Sequence, residues 1–155
     1  GAQFNMVDRT SEISPGMWFI TGIDLMPEQV PVDDRLVIFH KERYVPDPIE
    51  DDASLLVDCE GSAVLVLGCA HSGILNILDH VENEMGINKL KAVVGGTHLK
   101  FFHAIDLPRI IERLESLSVD LIGVSHCTGQ QAAAKLAAHF GDRFMSASTG
   151  MVFEF

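Results

Sequence analysis

Val66–Gly73 reads VLGCAHSG, an apolar run that ends in a histidine set among small residues. The arrangement returns as VVGGTHLK over Val93–Lys100 and as GVSHCTGQ over Gly123–Gln130. Each time, a short continuous apolar run of the buried-strand kind leads into the histidine and a helical pattern follows. Ala63–Gly68 is the first such strand. Ile74, Leu75, Leu78, Val81 and Met85 then fall on one helical face over Ser72–Met85, and Gly86 is placed to stop the helix. The second cycle has Ala92–Val94 as strand and Asp106 as N-cap with Pro108 in the first turn. Leu107, Ile110, Ile111, Leu114 and Leu117 form its helical stripe. The third has Leu121–Val124 as strand and an alanine-rich helix over Thr128–Phe140, ended by Gly141. Met145–Ala147 and Met151–Phe155 read as closing strands. This βα alternation predicts an α/β (α+β) chain.

Residues 1–60 have a different texture. Trp18–Ile23, Leu36–Phe39 and Leu55–Val57 read as strands of a sheet or meander. PDPIEDD (Pro46–Asp52) reads as a solvated acidic loop between them. No Pro-, Gly- or Ser-rich linker divides the chain, so residues 1–155 are expected to form a single domain.

In open α/β sheets, ligands bind at the carboxyl ends of the strands. His71, His98 and His126 each follow a strand, so they are expected to converge on one rim. His71 and His126 also fall near predicted helix starts, where the positive end of the dipole favours the neutral imidazole that binds metals. A single histidine at such a place is usually a half-buried residue with one satisfied nitrogen; three equivalent ones favour a site. His40, His80, His103 and His139 lack the small-residue setting and read as surface residues. Cys69 and Cys127 offer a rival, a thiol activated by histidine, although buried structural thiols are the plainer reading. Adjacent strand residues point to opposite faces, which argues against His126 and Cys127 sharing a site.

Composition narrows the function class. With 11 basic and 22 acidic residues the net charge is −11, and no basic cluster occurs. Nucleic-acid and anionic-membrane partners are disfavoured. No apolar run approaches the length of a membrane span. Three cysteines at unrelated spacings speak against a disulfide framework and fit a reducing cytoplasm. The chain begins at Gly1 rather than Met, which suggests a processed end or a fragment.

GCAHSG (68–73), GGTHL (95–99) and SHCTG (125–129), in this order, resemble the metallo-β-lactamase superfamily. Within it they look like the dihydropterin ribofuranosyl-aminobenzene-phosphate synthase branch. SPGMWFITG (14–22), PDPIEDDASLLVD (46–58) and STGMVFEF (148–155) extend the resemblance over nearly the whole chain. It implies half of an αβ/βα sandwich, a mixed sheet with about three helices on one face. It also implies a divalent metal ion, with Zn²⁺ favoured over Fe²⁺ or Mn²⁺, whose bound hydroxide attacks an ester or phosphoester. His71 and His126 match the metal-ligating histidines of two motifs. His98 stands where related enzymes often place the bridging aspartate and is expected to be a catalytic residue stabilising the transition state, a ligand or a substrate contact. Asp51 and Asp52 match an acidic pair that usually includes a glutamate.

The superfamily's main ligand cluster, HxHxDH, does not occur in these 155 residues. The resemblance is therefore to the C-terminal half of the fold, with the chain a truncated domain, a split-gene product or a natural half-domain. Half a sandwich leaves a sheet face uncovered, so a homo-oligomer or a separate N-terminal half-domain is the expected partner. A small phosphorylated substrate is implied, with no nucleic acid and no membrane. Two other functions remain open: a non-catalytic metal-binding or oligomerisation half-domain, and a Cys–His enzyme.

Overall fold

A computed structural model describes residues 1–101 and 106–155. His103 lies outside the described residues. Among the described residues, nine strands and three α-helices occur in the order β1 (Ser11–Ser14), β2 (Met17–Ile20), β3 (Val37–His40), β4 (Arg43–Pro46), β5 (Ser54–Asp58), β6 (Ala63–Leu67), α1 (Ile74–Asn83), β7 (Leu90–Gly96), α2 (Leu107–Ser116), β8 (Leu121–Ser125), α3 (Gln130–Phe140) and β9 (Phe144–Ser146). Seven strands form one sheet in the order β1-β2-β5-β6-β7-β8-β9, and β3 and β4 form a separate hairpin.

The sheet is mixed, as expected, and the change of sense falls at β6. From β1 to β6 every pairing in the sheet is antiparallel. From β6 to β9 every pairing is parallel. That change follows from the connections. Short turns reverse the chain between β1 and β2 and between β5 and β6, whereas β6–α1–β7 and β7–α2–β8 cross over through a helix and return in the same sense.

Alternation along the strands explains the packing. Ala63, Leu65 and Leu67 of β6 and Ile122 and Val124 of β8 join one buried cluster with α1, α2 and α3. Ile74, Leu75, Ile77, Leu78 and Val81 carry α1 into it, Ile110 and Leu114 carry α2, and Leu136 and Phe140 carry α3. Burying a side chain of this size contributes about 1.5–3 kcal/mol. On the other face Val66 stays 38% exposed.

Several boundaries differ from the sequence reading. Met151–Phe155 forms no strand. A Cβ on Gly123 would lie 3.2 Å from the Phe153 ring, so this end of the chain packs on the sheet without joining it. Asp106 occupies the cap position of α2, but its side chain makes no capping hydrogen bond. α3 begins at Gln130 because His126–Thr128 winds as a separate 3₁₀ turn. Leu36–Phe39 does become a strand, but as half of the β3–β4 hairpin and outside the main sheet. Its turn residues Lys41 and Glu42 both have positive φ, the turn whose twist suits a two-residue hairpin loop.

Candidate functional site

Because β6, β7 and β8 are parallel and in register, Leu67 beside Gly95 and Gly96 beside Ser125, their carboxyl ends share one edge. The histidine-bearing loops leave the sheet there. Each turns on a left-handed residue: Ala70 before His71 (φ 56°), His98 itself (φ 49°) and His126 itself (φ 50°). Side chains other than glycine seldom adopt this region, so three instances on one rim mark backbone shaped for a purpose.

Two groups of donors gather at the rim. In the first, the His71 and His98 rings meet edge to face with centroids 4.5 Å apart. His98 is only 3% exposed, and neither ring nitrogen has a hydrogen-bond partner among the described residues. Its Nε2 stands 3.5 Å from Oδ2 of Asp33, too far for a good hydrogen bond. Phe101 stacks on the other side of the ring at 4.4 Å, and Arg35 lies over Phe101 at 4.6 Å. Arg35 in turn grips Asp33 through Nε at 2.8 Å and Nη2 at 2.6 Å. Hydrogen bonding from Arg35 holds the Asp33 carboxyl well below the usual carboxylate range. Burial, followed by the neighbouring His71, pushes the His98 pKa down; Asp33 pulls the other way and does not prevail. His98 is thus a neutral imidazole with free nitrogens, the form a metal ligand needs.

In the second group, ligand atoms of Cys69, His126 and Cys127 all lie within 4.8 Å of one another. The Cys127 sulfur accepts from the His98 backbone N–H at 3.2 Å and donates to the Cys69 carbonyl at 3.3 Å. This corrects the expectation that His126 and Cys127 face apart. Strand alternation does not apply to them, since they stand in the 3₁₀ turn. Burial, reinforced by the Cys127 thiol, pushes the Cys69 thiol up to about 11. Thr97 Oγ1 donates to Thr128 Oγ1 at 2.8 Å, tying the β7 loop to the turn that carries His126.

The reason given for neutral imidazoles also changes. α1 starts three residues beyond His71 and α3 four beyond His126, so neither ring sits in a first helical turn. For His98 the operative cause is burial.

The acidic loop is not wholly a solvated turn. The Asp52 carboxylate accepts from the backbone N–H of Ser72 at 3.0 Å and from its hydroxyl, fixing the loop that carries His71. Thr21 donates to the Asp52 carbonyl. The enclosure by Asp33, Arg35 and Phe101 was not foreseen, because PVDDR (31–35) carries no motif and lies far from His98 in sequence. Of the other histidines, His40 and His139 are exposed as read, while His80 is half-buried with its Nε2 2.8 Å from the Thr10 hydroxyl.

Two cavities of about 620 Å³ flank these groups. One is lined by Asp8, Glu50, Asp51, Asp52 and Ser72. The other is lined by His126, Lys100, Lys135, Gln130 and Gln131 at the start of α3, and none of the described residues lining it is acidic.

No protein-family model matches the chain. It is 33% identical over 113 residues to 7,8-dihydropterin-6-methyl-4-(beta-D-ribofuranosyl)-aminobenzene-5'-phosphate synthase of Methanocaldococcus jannaschii, covering 73% of this chain and 38% of that protein. An uncharacterized protein of the same organism is 32% identical over 95 residues, covering 61% of this chain and 34% of its own length. The crystal structure of a metal-dependent hydrolase of the β-lactamase superfamily superposes with a TM-score of 0.83 at 28% identity. That match covers 97% of this chain and 57% of the other. The chain therefore spans little more than a third of the curated relatives it matches and over half of the structural one.

Proposed function

Because the chain belongs to the metallo-β-lactamase superfamily, we propose that it supplies one wall of a metal-dependent hydrolase site acting on a phosphorylated small molecule. The observation that carries this reading is the His71–His98 contact at the strand-end rim, with both His98 nitrogens buried and without a hydrogen-bond partner among the described residues. An orphaned nitrogen in a dry setting is costly; in a neutral imidazole a cation satisfies the bare nitrogen, while the N–H of the other needs an acceptor such as the Asp33 carboxylate. We assign His71 and His126 as metal ligands at the two ends of the rim, each toward its own divalent ion, with His98 beside His71 and Zn²⁺ preferred over Fe²⁺ or Mn²⁺ for imidazole and thiol neighbours.

When bound, such a cation supplies a hydroxide at neutral pH and polarises the ester under attack. The chain's own residues have separable tasks. Asp52 fixes the His71 loop through Ser72. Phe101 and Arg35 close over His98 and keep water from its ring. Lys100 and Lys135 place two positive charges in the cavity at His126. In a chain of net charge −11, that is where an anionic substrate is tolerated. The name of the M. jannaschii relative specifies a 5'-phosphate, which agrees with this charge pattern. These 155 residues lack the superfamily's HxHxDH cluster, and His71 with His98 alone falls short of the three protein ligands a catalytic zinc needs, so in this reading a further polypeptide supplies that cluster. A second chain or a further domain would also cover the exposed hairpin residues Val37, Ile38, Phe39 and Tyr44.

The test is metal content together with turnover. Wild-type chain dialysed against Zn²⁺ should retain metal, and His71→Ala and His126→Ala should each lower the amount bound. Mixed with or joined to a partner carrying HxHxDH, it should hydrolyse a chromogenic phosphoester. Metal retention unchanged in both variants would contradict the reading. Metal bound without turnover in the completed protein would favour a non-catalytic metal-binding or oligomerisation half-domain.

A further inference from the structure

We infer that the cation held by His126 is also bound by two sulfurs, so that Cys69, Cys127 and His126 form a thiolate–imidazole site for a borderline-soft divalent ion, Zn²⁺ being the type. This rests on the proposed reading only in sharing His126 with it.

The first argument is proximity. The three ligand atoms come from two loops 57 residues apart, yet all lie within 4.8 Å of one another. Around a tetrahedral zinc, with bonds of about 2.3 Å to sulfur and about 2.0–2.1 Å to nitrogen, ligand atoms stand about 3.4–3.8 Å apart. A contraction of at most about 1.0–1.4 Å therefore closes the cage, within the reach of side-chain rotation.

The second argument is the room made for sulfur. A Cβ on Gly96 would stand 3.0 Å from the Cys127 sulfur, 3.2 Å from the Cys69 Cα and 2.6 Å from the Gly68 carbonyl. The bare backbone at Gly96 is what lets the Cys127 thiol reach across the end of β7 to the β6 loop.

The third is the outer support. The backbone N–H of His98 already points at the Cys127 sulfur. An N–H donor of this kind favours a coordinated thiolate and holds it in place.

Charge balances. As each S–metal bond forms, the thiol proton passes to solvent, so two thiolates cancel the 2+ charge and no oxidant or reductant is involved. Neutrality suits a half-buried site. Three protein ligands leave the fourth tetrahedral position for water or a substrate oxygen, as in catalytic rather than structural zinc sites. His126, the exposed member, gives onto the lysine-lined cavity. Two sulfurs also set the metal preference, selecting Zn²⁺ and disfavouring Mn²⁺ and Mg²⁺. His71 stands apart from this trio, against His98.

Titration of the reduced chain with Co²⁺ tests the site by spectroscopy, without turnover. Wild type should show tetrahedral visible bands and an intense near-ultraviolet thiolate-to-cobalt band, bleached by Zn²⁺. Cys69→Ser and Cys127→Ser preserve the hydrogen bonds and so the fold, which circular dichroism checks. Each should lose about half of the near-ultraviolet band and weaken cobalt binding at least ~10-fold. His126→Ala should weaken binding similarly, and His71→Ala should leave the band in place. Visible bands with no thiolate band, or a thiolate band unchanged in both serine variants, would overturn the inference while leaving an all-imidazole metal site intact. A thiolate band in a completed protein that hydrolyses no phosphoester would uphold the inference and defeat the hydrolase reading. No cobalt spectrum at all would overturn both.

Discussion

The two ends of the histidine rim are built differently. At the His98 end, an imidazole is sealed between His71, Phe101 and the Arg35–Asp33 pair and is 3% exposed. At the His126 end the ring is exposed beside a cavity that carries Lys100 and Lys135. The difference teaches a division of labour. The closed end keeps a donor dry, neutral and oriented at a cost in stability; the open end admits an anion and costs the fold little.

Glycine substitutions should break or confirm that contrast with the largest effect. A Cβ at Gly95, where φ is 133°, would stand 2.2 Å from the Leu67 carbonyl, and backbone cannot yield as a side chain can. Gly95→Ala should destabilise by about 2–4 kcal/mol. At the open end, Gly129 (φ 77°) faces mainly the Lys100 side chain, with 3.0 Å to its Cβ. Gly129→Ala should lose about 1–2 kcal/mol, the backbone strain alone at φ 77°, ψ 148°, since the flexible Lys100 side chain can give way. Chemical denaturation of both variants reads the difference; equal losses would erase it.

Next in size is the sealed imidazole itself. A buried ring with two unsatisfied nitrogens is worse than an apolar ring of similar shape. His98→Phe should therefore stabilise the metal-free protein by about 1 kcal/mol while lowering metal uptake. His126→Ala should change stability by less than about 0.5 kcal/mol. A loss of stability in His98→Phe would mean that the ring is satisfied in a way its contacts do not show.

The Arg35 and lysine charges should give a smaller effect, on substrate. Lys135→Glu should raise KM for an anionic phosphoester by about 3–10-fold with kcat nearly unchanged, and added salt should shrink the gap. Equal KM values would remove the cavity from substrate binding.

The smallest effect is a pH dependence away from the rim. Burial pushes the His80 pKa below its ordinary 6.5, against the raising influence of Glu84 and Asp24. Below 6.5 the unfolded chain takes up a proton that the folded chain resists. Stability should therefore fall as pH drops through that value, and remain flat above it. His80→Gln should flatten this slope in denaturation curves at pH 7.5 and 5.5. A slope that persists unchanged would place its origin elsewhere.

Much of the parallel half of the fold was legible because its signals are local. The α1 stripe, Gly86 and the three strand–histidine loops each declare themselves within a dozen residues, and parallel pairing then forces the histidines to one edge. The Asp33–Arg35–Phe101 enclosure was not legible, since two of its members come from a loop outside the main sheet and nothing local marks a carboxylate that will be buried 65 residues away from its partner. The sulfur cluster was misread for a definable reason. Period-two alternation was extended past Ser125 into a segment that winds as a 3₁₀ turn and turns Cys127 toward Cys69. Asp52 was misjudged likewise, because an acidic run looks solvated until the Ser72 donors are seen.

Anomalous diffraction from crystals of the chain soaked in Zn²⁺ bears most directly on the claim that imidazoles from separate crossover units share a cation-binding edge. The account predicts peaks at the carboxyl ends of β6, β7 and β8, within about 2.0–2.2 Å of ring nitrogens of His71 and His126. Peaks confined to surface carboxylates, with both rings free of metal, would contradict it.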